Sequence, residues 1–372
     1  MGRTTGAAGA ENERRRDFTS GWAEVKKPPE FVSEAPSTLD RPTTTATAVV
    51  AAALGYAMLI AAFWFTARRF GMPDRLGSDF VWVFLSFALL LLPYWAFGFG
   101  LADVLRRNLR SSITRILAPF ILVLPYFSSL PIDSFRADLA AGLIAVPLGI
   151  AALFEFAPPG GKNRPQAGLS WQDALALIAL GVPVQFRLLA AAWPYAGLSA
   201  MPKLLLVDAA LYAFLVVRRL DGVGYDFRPR LRDLLIGLRE WALFAPIAIT
   251  LGLSLGFIAF QPHIPDPGMV AAAWLITFFF VAIPEELFFR GFLFNLIERR
   301  LGGRWGLLLS SAIFGLSHFN KPLPFNWRYV LLATIAGVFY GRAWRDRRRL
   351  LPASIAHATV DVVWGVWFQA GP

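Results

Sequence analysis

The sequence predicts an all-α fold, a polytopic transmembrane helix bundle of about ten or eleven spans behind a disordered N-terminal tail. Three observations carry that expectation. Of the 372 residues, 56% are hydrophobic and only 16% charged, with a mean hydropathy of +0.52, whereas soluble domains carry roughly 25% charged residues. Apolar segments follow one another at roughly 46–67, 80–104, 116–131, 138–156, 173–199, 203–217, 237–260, 269–297, 305–318, 327–344 and 350–368, and a bilayer-spanning helix needs about 20 such residues. Basic residues sit in short runs between the segments, as at Arg106-Arg107, Arg218-Arg219, Arg299-Arg300 and Arg347-Arg348-Arg349, the pattern that the positive-inside rule produces.

The net charge of +11 therefore reads as membrane topology, and the expected partner is the lipid bilayer rather than nucleic acid. With no cysteine in the chain, there is no disulfide framework, no thiolate metal site and no cysteine nucleophile. Residues 1–44 are polar and rich in Pro, Ser, Thr and Glu, a composition that cannot bury enough apolar surface to fold. Within them, Asp17 to Lys27 could form a short interfacial helix, although plain disorder is the simpler expectation.

With the tail on the cytoplasmic side of a cell (inner) membrane, the Arg-rich connections at 105–115, 157–172, 218–233, 298–304 and 342–349 all fall inside. Those at 132–137, 200–202 and 261–268 fall outside. The segment 116–131 is short for a span, and 173–199 is interrupted by Pro183, Arg187 and Pro194. Helices in 45–236 carry no assignable role, and the chemistry-bearing residues concentrate in 237–372.

There, inside apolar sequence, stands Ile283-Pro284-Glu285-Glu286-Leu287-Phe288-Phe289-Arg290. Ionisable side chains at membrane depth cost at least about 2.5 to 3.5 kcal/mol each, so they persist where they are paired or where they work. Successive helical residues turn by about 100°, which sends Glu285 and Glu286 to different faces and puts Glu286 one turn from Arg290. Glu285 is left over. Pro284 has no N–H and frees a carbonyl one turn earlier, which predicts a bent or locally opened helix.

Of the three histidines, His263 falls in an external turn and reads as a surface residue. His318 ends the next apolar segment, in Phe314-Gly-Leu-Ser-His318, and His357 lies in the last, one helical turn before Asp361. That spacing would let Asp361 orient the imidazole and fix its tautomer. Counting about 1.5 Å per residue from the cytoplasmic boundary sets Glu286 and His318 about 20 Å deep but His357 only about 10 Å deep.

A glutamate and a neutral histidine facing one water could strip its proton and drive attack on a peptide carbonyl. A second histidine could donate to the oxyanion that develops. No Gly-x-Ser-x-Gly elbow or serine–lysine pairing accompanies Ser310, Ser311 or Ser317, which argues against a serine nucleophile. Glu285, His318 and His357 would equally make a zinc ligand set with water in the open position, although there is no His-Glu-x-x-His. The same titratable residues could line the path of a proton- or ion-coupled transporter, or serve as packing in a non-catalytic scaffold or immunity protein.

In their order on successive helices, Glu285-Glu286-x-x-x-Arg290, Phe314-x-x-x-His318 and His357-x-x-x-Asp361 resemble the three motifs of the CAAX protease and bacteriocin-processing (ABI) family, which includes the Ras-converting prenyl endopeptidases. The resemblance spans roughly residues 269–368. It implies an intramembrane endopeptidase in which Glu285 and His318 activate water, His357 and Asp361 stabilise the tetrahedral intermediate, and Glu286 and Arg290 support the site. The family's last motif takes Asn or Asp, so Asp361 fits the pattern but differs from the Asn of the prenyl endopeptidases. The implied substrate is a membrane-associated peptide or protein, with or without a lipid modification. No cofactor is expected, with zinc the alternative.

Overall fold

The computed structural model describes residues 46–371 except 131–134, 162–167, 194, 196, 197, 199 and 322–324. The expectations of a disordered tail at 1–44 and of a helix at Asp17–Lys27 lie outside the described residues.

Every one of the eleven apolar segments forms helix. Eight are long and apolar enough to cross a membrane among the described residues: Val49–Arg69, Met72–Phe97, Ser112–Ser129, Ala137–Phe156, Ala200–Val217, Leu231–Ser254, Pro267–Leu301 and Leu350–Trp367. Three more complete the bundle. Trp171–Gln185 and Gly303–Leu316 are short, at 15 and 14 residues, while Trp327–Arg347 dilutes its apolar run with charges in its last turns. Trp171–Gln185 is the remnant of the segment expected at 173–199. A capping box of Ser170 and Asp173 starts it, and it stops two residues after Pro183, before Arg187 in a left-handed conformation. The doubtful segment at 116–131 crosses as a broken rod, Ser112–Leu117 and Leu124–Ser129 joined by a 3-10 stretch, with Pro119 and Pro125 at the two joints.

Salt bridges and a hydrogen bond knit the basic connections together at one end. Arg349 reaches Asp233 at 2.9 Å and also pairs with Asp226; Arg348 reaches Glu298 at 2.5 Å, and Asn295 donates to the Asp221 carbonyl at 2.8 Å. At the other end, β1 (Ile258–Phe260) and β2 (Phe368–Ala370) pair antiparallel, Ala259 opposite Gln369. This ties the last helix to the connection after Leu231–Ser254.

The Pro267–Leu301 helix is capped by the Asp266 carboxylate, which accepts from the N–H groups of Gly268 and Met269. It does not run as regular α-helix. Wide π turns occupy Phe278–Ala282 and Leu287–Phe294, on either side of Ile283–Glu286. Loss of the Pro284 donor is a local cause for this re-registering of the backbone bonds, and such turns are rare and gather at functional sites.

Arg218 and Asp173 form a pair at 2.9 Å with both side chains fully buried. Removing one partner of a buried pair strands the other, at a cost of about 3–5 kcal/mol. Asp173→Ala should therefore lower the melting temperature of the purified protein markedly in detergent, while Asp138→Ala, which breaks an exposed pair with Arg136, should leave it unchanged. Equal melting of the two variants would show that the buried pair does not hold Trp171–Gln185 to the end of Ala200–Val217.

Candidate active site

Glu285 and Glu286 follow Pro284 in the short α-helical turn between the two π segments. They point apart, as their spacing requires. Glu286 is fully buried, and one of its oxygens, Oε1, accepts from Arg290 Nη1 at 3.1 Å and from His357 Nδ1 at 2.8 Å. Arg290 is buried as well; its other terminal nitrogen donates to the Gly337 carbonyl at 3.1 Å, and its guanidinium lies 4.3 Å from the centre of the Phe314 ring, a cation–π distance. One carboxylate thus joins the motif helix to the last helix, and one guanidinium joins it to Trp327–Arg347.

Glu285 has the opposite surroundings. Its Oε2 is buried with no hydrogen-bond partner among the described residues, and lies 3.8 Å from His357 Nε2. That separation is too long for a direct hydrogen bond and of the kind that invites a bridging water. His318, Lys321 and Lys203 also lie within electrostatic reach of this carboxylate.

The closing helix brings His357 to this point. Sequence counting set His357 far shallower than the glutamates, yet its Nδ1 touches Glu286. The reason is the start of that helix. Arg348 takes a left-handed conformation that turns the chain sharply, and Leu350 to Ser354 are all buried, so the helix begins inside the protein, beneath the segment 220–230, rather than at its surface. Gly224 permits this, with φ +78° and the Arg348 carbonyl so close that a Cβ would lie 2.3 Å from it. Tyr340 stacks on the His357 ring at 4.7 Å and 14° and sets its plane. Two carboxylates thus flank this imidazole: Glu286 holds Nδ1, and Asp361, expected from its spacing to orient the ring, lies 3.5 Å from Nε2, beside the atom that faces Glu285.

His318 sits just past the Gly303–Leu316 helix. Its Nδ1 lies 2.9 Å from the Phe314 carbonyl and 3.2 Å from Ser317 Oγ, and its ring packs on Tyr329 at 4.7 Å. Both bonds are at Nδ1, which leaves Nε2 as its working atom. The helix reaches this position because Gly315 lets it lie against Trp327–Arg347: a Cβ there would come 1.9 Å from Thr334 Oγ1 and 2.7 Å from the Val330 carbonyl. His263 is exposed in its turn and takes no part.

Two cavities border this cluster. One, of about 90 Å³, is walled by rings such as Trp241, Phe257, Tyr329 and Trp364, and His318, His357 and Asp361 open onto it. The other, of about 140 Å³, lies against the earlier helices and contains Glu285 with Lys203, Lys321 and Gln185. Sequence reasoning missed Tyr340, Lys203 and Gln185, because each lies outside the charged motifs. Lys203, with Asp208 one of two charged residues in the apolar run 200–217, was the one available signal. As for zinc, no group of three His, Asp or Glu side chains is arranged to hold a metal ion among the described residues.

The fold and the cluster define a polytopic membrane protein with a buried glutamate–histidine site in its last helices. Residues 267–363 match the family model described as type II CAAX prenyl endopeptidase Rce1-like, the same stretch and family to which the three motifs pointed. No curated protein and no solved structure matches the chain.

The two glutamates should separate in a stability measurement. Glu286→Ala strands Arg290 and should cost about 3–5 kcal/mol, read as a large fall in melting temperature. Glu285→Gln, which removes no hydrogen bond, should melt like the unsubstituted protein. Similar losses in both variants would contradict this division of roles.

Proposed function

We propose that this protein is a CAAX-type intramembrane endopeptidase, an integral membrane hydrolase that cleaves a peptide bond of a membrane-associated substrate with a Glu285- and His318-activated water. The observation that carries the proposal is the unpartnered Glu285 oxygen 3.8 Å from His357 Nε2, in a segment matching the Rce1-like family. A water held between Glu285 and His318 would lose a proton to Glu285 as its oxygen bonds to the carbonyl carbon. The carbonyl oxygen becomes an oxyanion, which takes a hydrogen bond from His357 Nε2–H. Because Nδ1–H already goes to Glu286, a donating Nε2 means a doubly protonated ring, and Glu285, Glu286 and Asp361 surround it with the matching charge. Collapse breaks the C–N bond, and the departing amine takes the proton back from Glu285. No covalent intermediate forms.

In this reading residues 237–372 are the catalytic core and 45–236 supply one wall of the substrate path. Tyr94 donates to the Phe279 carbonyl at 3.0 Å, and Gln185 to that of Ser317 at 2.7 Å, so the earlier helices brace the motif helix and the end of the next helix, which carries His318. The aromatic walls beside the histidines match the apolar character of a lipid-modified side chain, with the bilayer as its route of entry.

General acid–base groups of this kind contribute about 10²- to 10⁴-fold each. Glu285→Gln and His318→Ala should each reduce cleavage of a lipidated peptide in proteoliposomes by at least that range while the protein still accumulates in the membrane. Full activity of Glu285→Gln would sink the proposal. Cleavage that survives chelation supports water activation by the side chains alone, whereas loss restored by added zinc would assign Glu285, His318 and His357 to a metal.

A further inference from the structure

The aromatic cavity beside the histidines carries a donor that the mechanism above does not use. Asn326 caps the Trp327–Arg347 helix, its Oδ1 accepting from the N–H groups of Arg328 at 3.1 Å and Tyr329 at 3.3 Å, which fixes Tyr329 in the first turn. Its ring packs on His318 at 4.7 Å, on Trp364 at 5.3 Å and on Phe257 at 5.4 Å, so three separate segments hold it in place. The chain has eight tyrosines. Tyr56, Tyr94, Tyr212 and Tyr225 donate to backbone carbonyls, and Tyr195 to Asp79, as tyrosine hydroxyls inside a protein usually do. Tyr126, Tyr329 and Tyr340 make no such bond among the described residues, and the last two line this cavity with His318, His357 and Asp361.

The chemistry leaves room for such a donor. His357 Nε2 has Asp361 at 3.5 Å and Glu285 at 3.8 Å, and ionised carboxylates accept hydrogen bonds but cannot give them. Both therefore compete for the one N–H that must meet the oxyanion, and the charge of Asp361 opposes a second negative charge beside it. The neighbouring donors are committed: Arg290 gives to Glu286 and to the Gly337 carbonyl. His318 Nδ1 faces the Phe314 carbonyl, so in the neutral ring its Nε2 accepts. The two cavity hydroxyls differ in what surrounds them. Tyr340 lies flat on the His357 ring, within electrostatic reach of Asp361 and Glu286. Tyr329 lies within reach of Asp361 and Glu285, the carboxylate that faces the water.

We propose that Tyr329 is a further catalytic residue, whose O–H gives the oxyanion of the tetrahedral intermediate a second hydrogen bond beside that of His357. This rests on the endopeptidase reading. A phenol keeps its proton at neutral pH, so it adds a donor without adding a charge to the apolar cavity. No proton is transferred: the hydroxyl stays intact while the carbonyl bond opens and re-forms. Because its ring is already held against His318, the donor is in place before the negative charge develops, the condition under which such bonds lower a barrier most.

Tyr329→Phe tests this, since it removes the hydroxyl and keeps the ring against His318. In proteoliposomes, with the lipidated peptide that tests the endopeptidase reading, kcat should fall about 100-fold, the loss that follows removal of one oxyanion donor. KM should stay within about twofold, because the bond is made only in the transition state. The phosphinate isostere of that peptide carries a tetrahedral, anionic P–O group in place of the scissile carbonyl. Its affinity should fall with kcat, while binding of the intact peptide, measured in the Glu285→Gln background, and the melting temperature should not change. An unaltered kcat, or equal losses for phosphinate and intact peptide, which would make the hydroxyl merely structural, would overturn the proposal. So would a loss that appears in Tyr340→Phe and not in Tyr329→Phe. Each of these outcomes leaves cleavage by the unsubstituted protein, and so the endopeptidase reading, standing. An unsubstituted protein that neither cleaves the peptide nor prefers its phosphinate would instead defeat that reading and this inference with it.

Discussion

The site depends on one buried oxygen. Glu286 Oε1 accepts from both Arg290 and His357, and all three side chains are buried, each at most 3% exposed. A carboxylate, a guanidinium and an imidazole are each expensive to place in apolar surroundings, and only their mutual contact offsets that cost. The three side chains cannot drift apart without stranding a charge, so the helix carrying His357 is locked against the helix carrying the glutamates. The 3.8 Å separation of Glu285 from His357 Nε2 follows from that lock. The helical turn of about 100° per residue does the rest: whatever face Glu286 uses for the knot, its neighbour Glu285 must present elsewhere.

Close helix approach is the second condition. Within a bilayer, apolar surface gains little from leaving lipid for protein, so helices associate through small residues and tight packing. The glycines stand where this is needed. Gly315 meets Thr334 and Val330, Gly337 lies against Ser311, and Gly237 lies against Pro352 and Ile355, each closer than a side chain would permit. These contacts seat Gly303–Leu316 on Trp327–Arg347 and Leu350–Trp367 on Leu231–Ser254, and the Arg290 bond to the Gly337 carbonyl joins the motif helix to the first of these pairs.

Much of this was legible in the sequence, for physical reasons that differ by feature. Hydropathy found all eleven helical segments, because a helix that meets lipid must be apolar along its length. It overestimated the one at 173–199, where Pro183 ends the helix that the apolar run seemed to continue. Side-chain spacing gave the split between Glu285 and Glu286, since that is a property of the helix alone. The partner of His357 Nδ1 could not be read this way. Spacing within one helix favours Asp361, but the nearer carboxylate comes from 71 residues away, and only the buried start of the last helix allows the two to meet. The cavity lysine at 203 was equally hidden, for its neighbours in sequence are apolar and its relation to Glu285 is entirely tertiary.

The two cavities have opposite chemistry because they are built from different parts of the chain. Rings from the last helices, with Trp241 and Phe257, surround the histidines, whereas Gln185 and Lys203 come from the earlier helices and face Glu285. A hydrolytic centre alone would need only the first set. Apolar walls bind an apolar group without specifying which bond of an attached chain is presented, because burial is non-directional. The earlier helices therefore do more than enlarge the apolar bundle: they contribute Gln185 and Lys203 to the cavity that holds the unpaired glutamate.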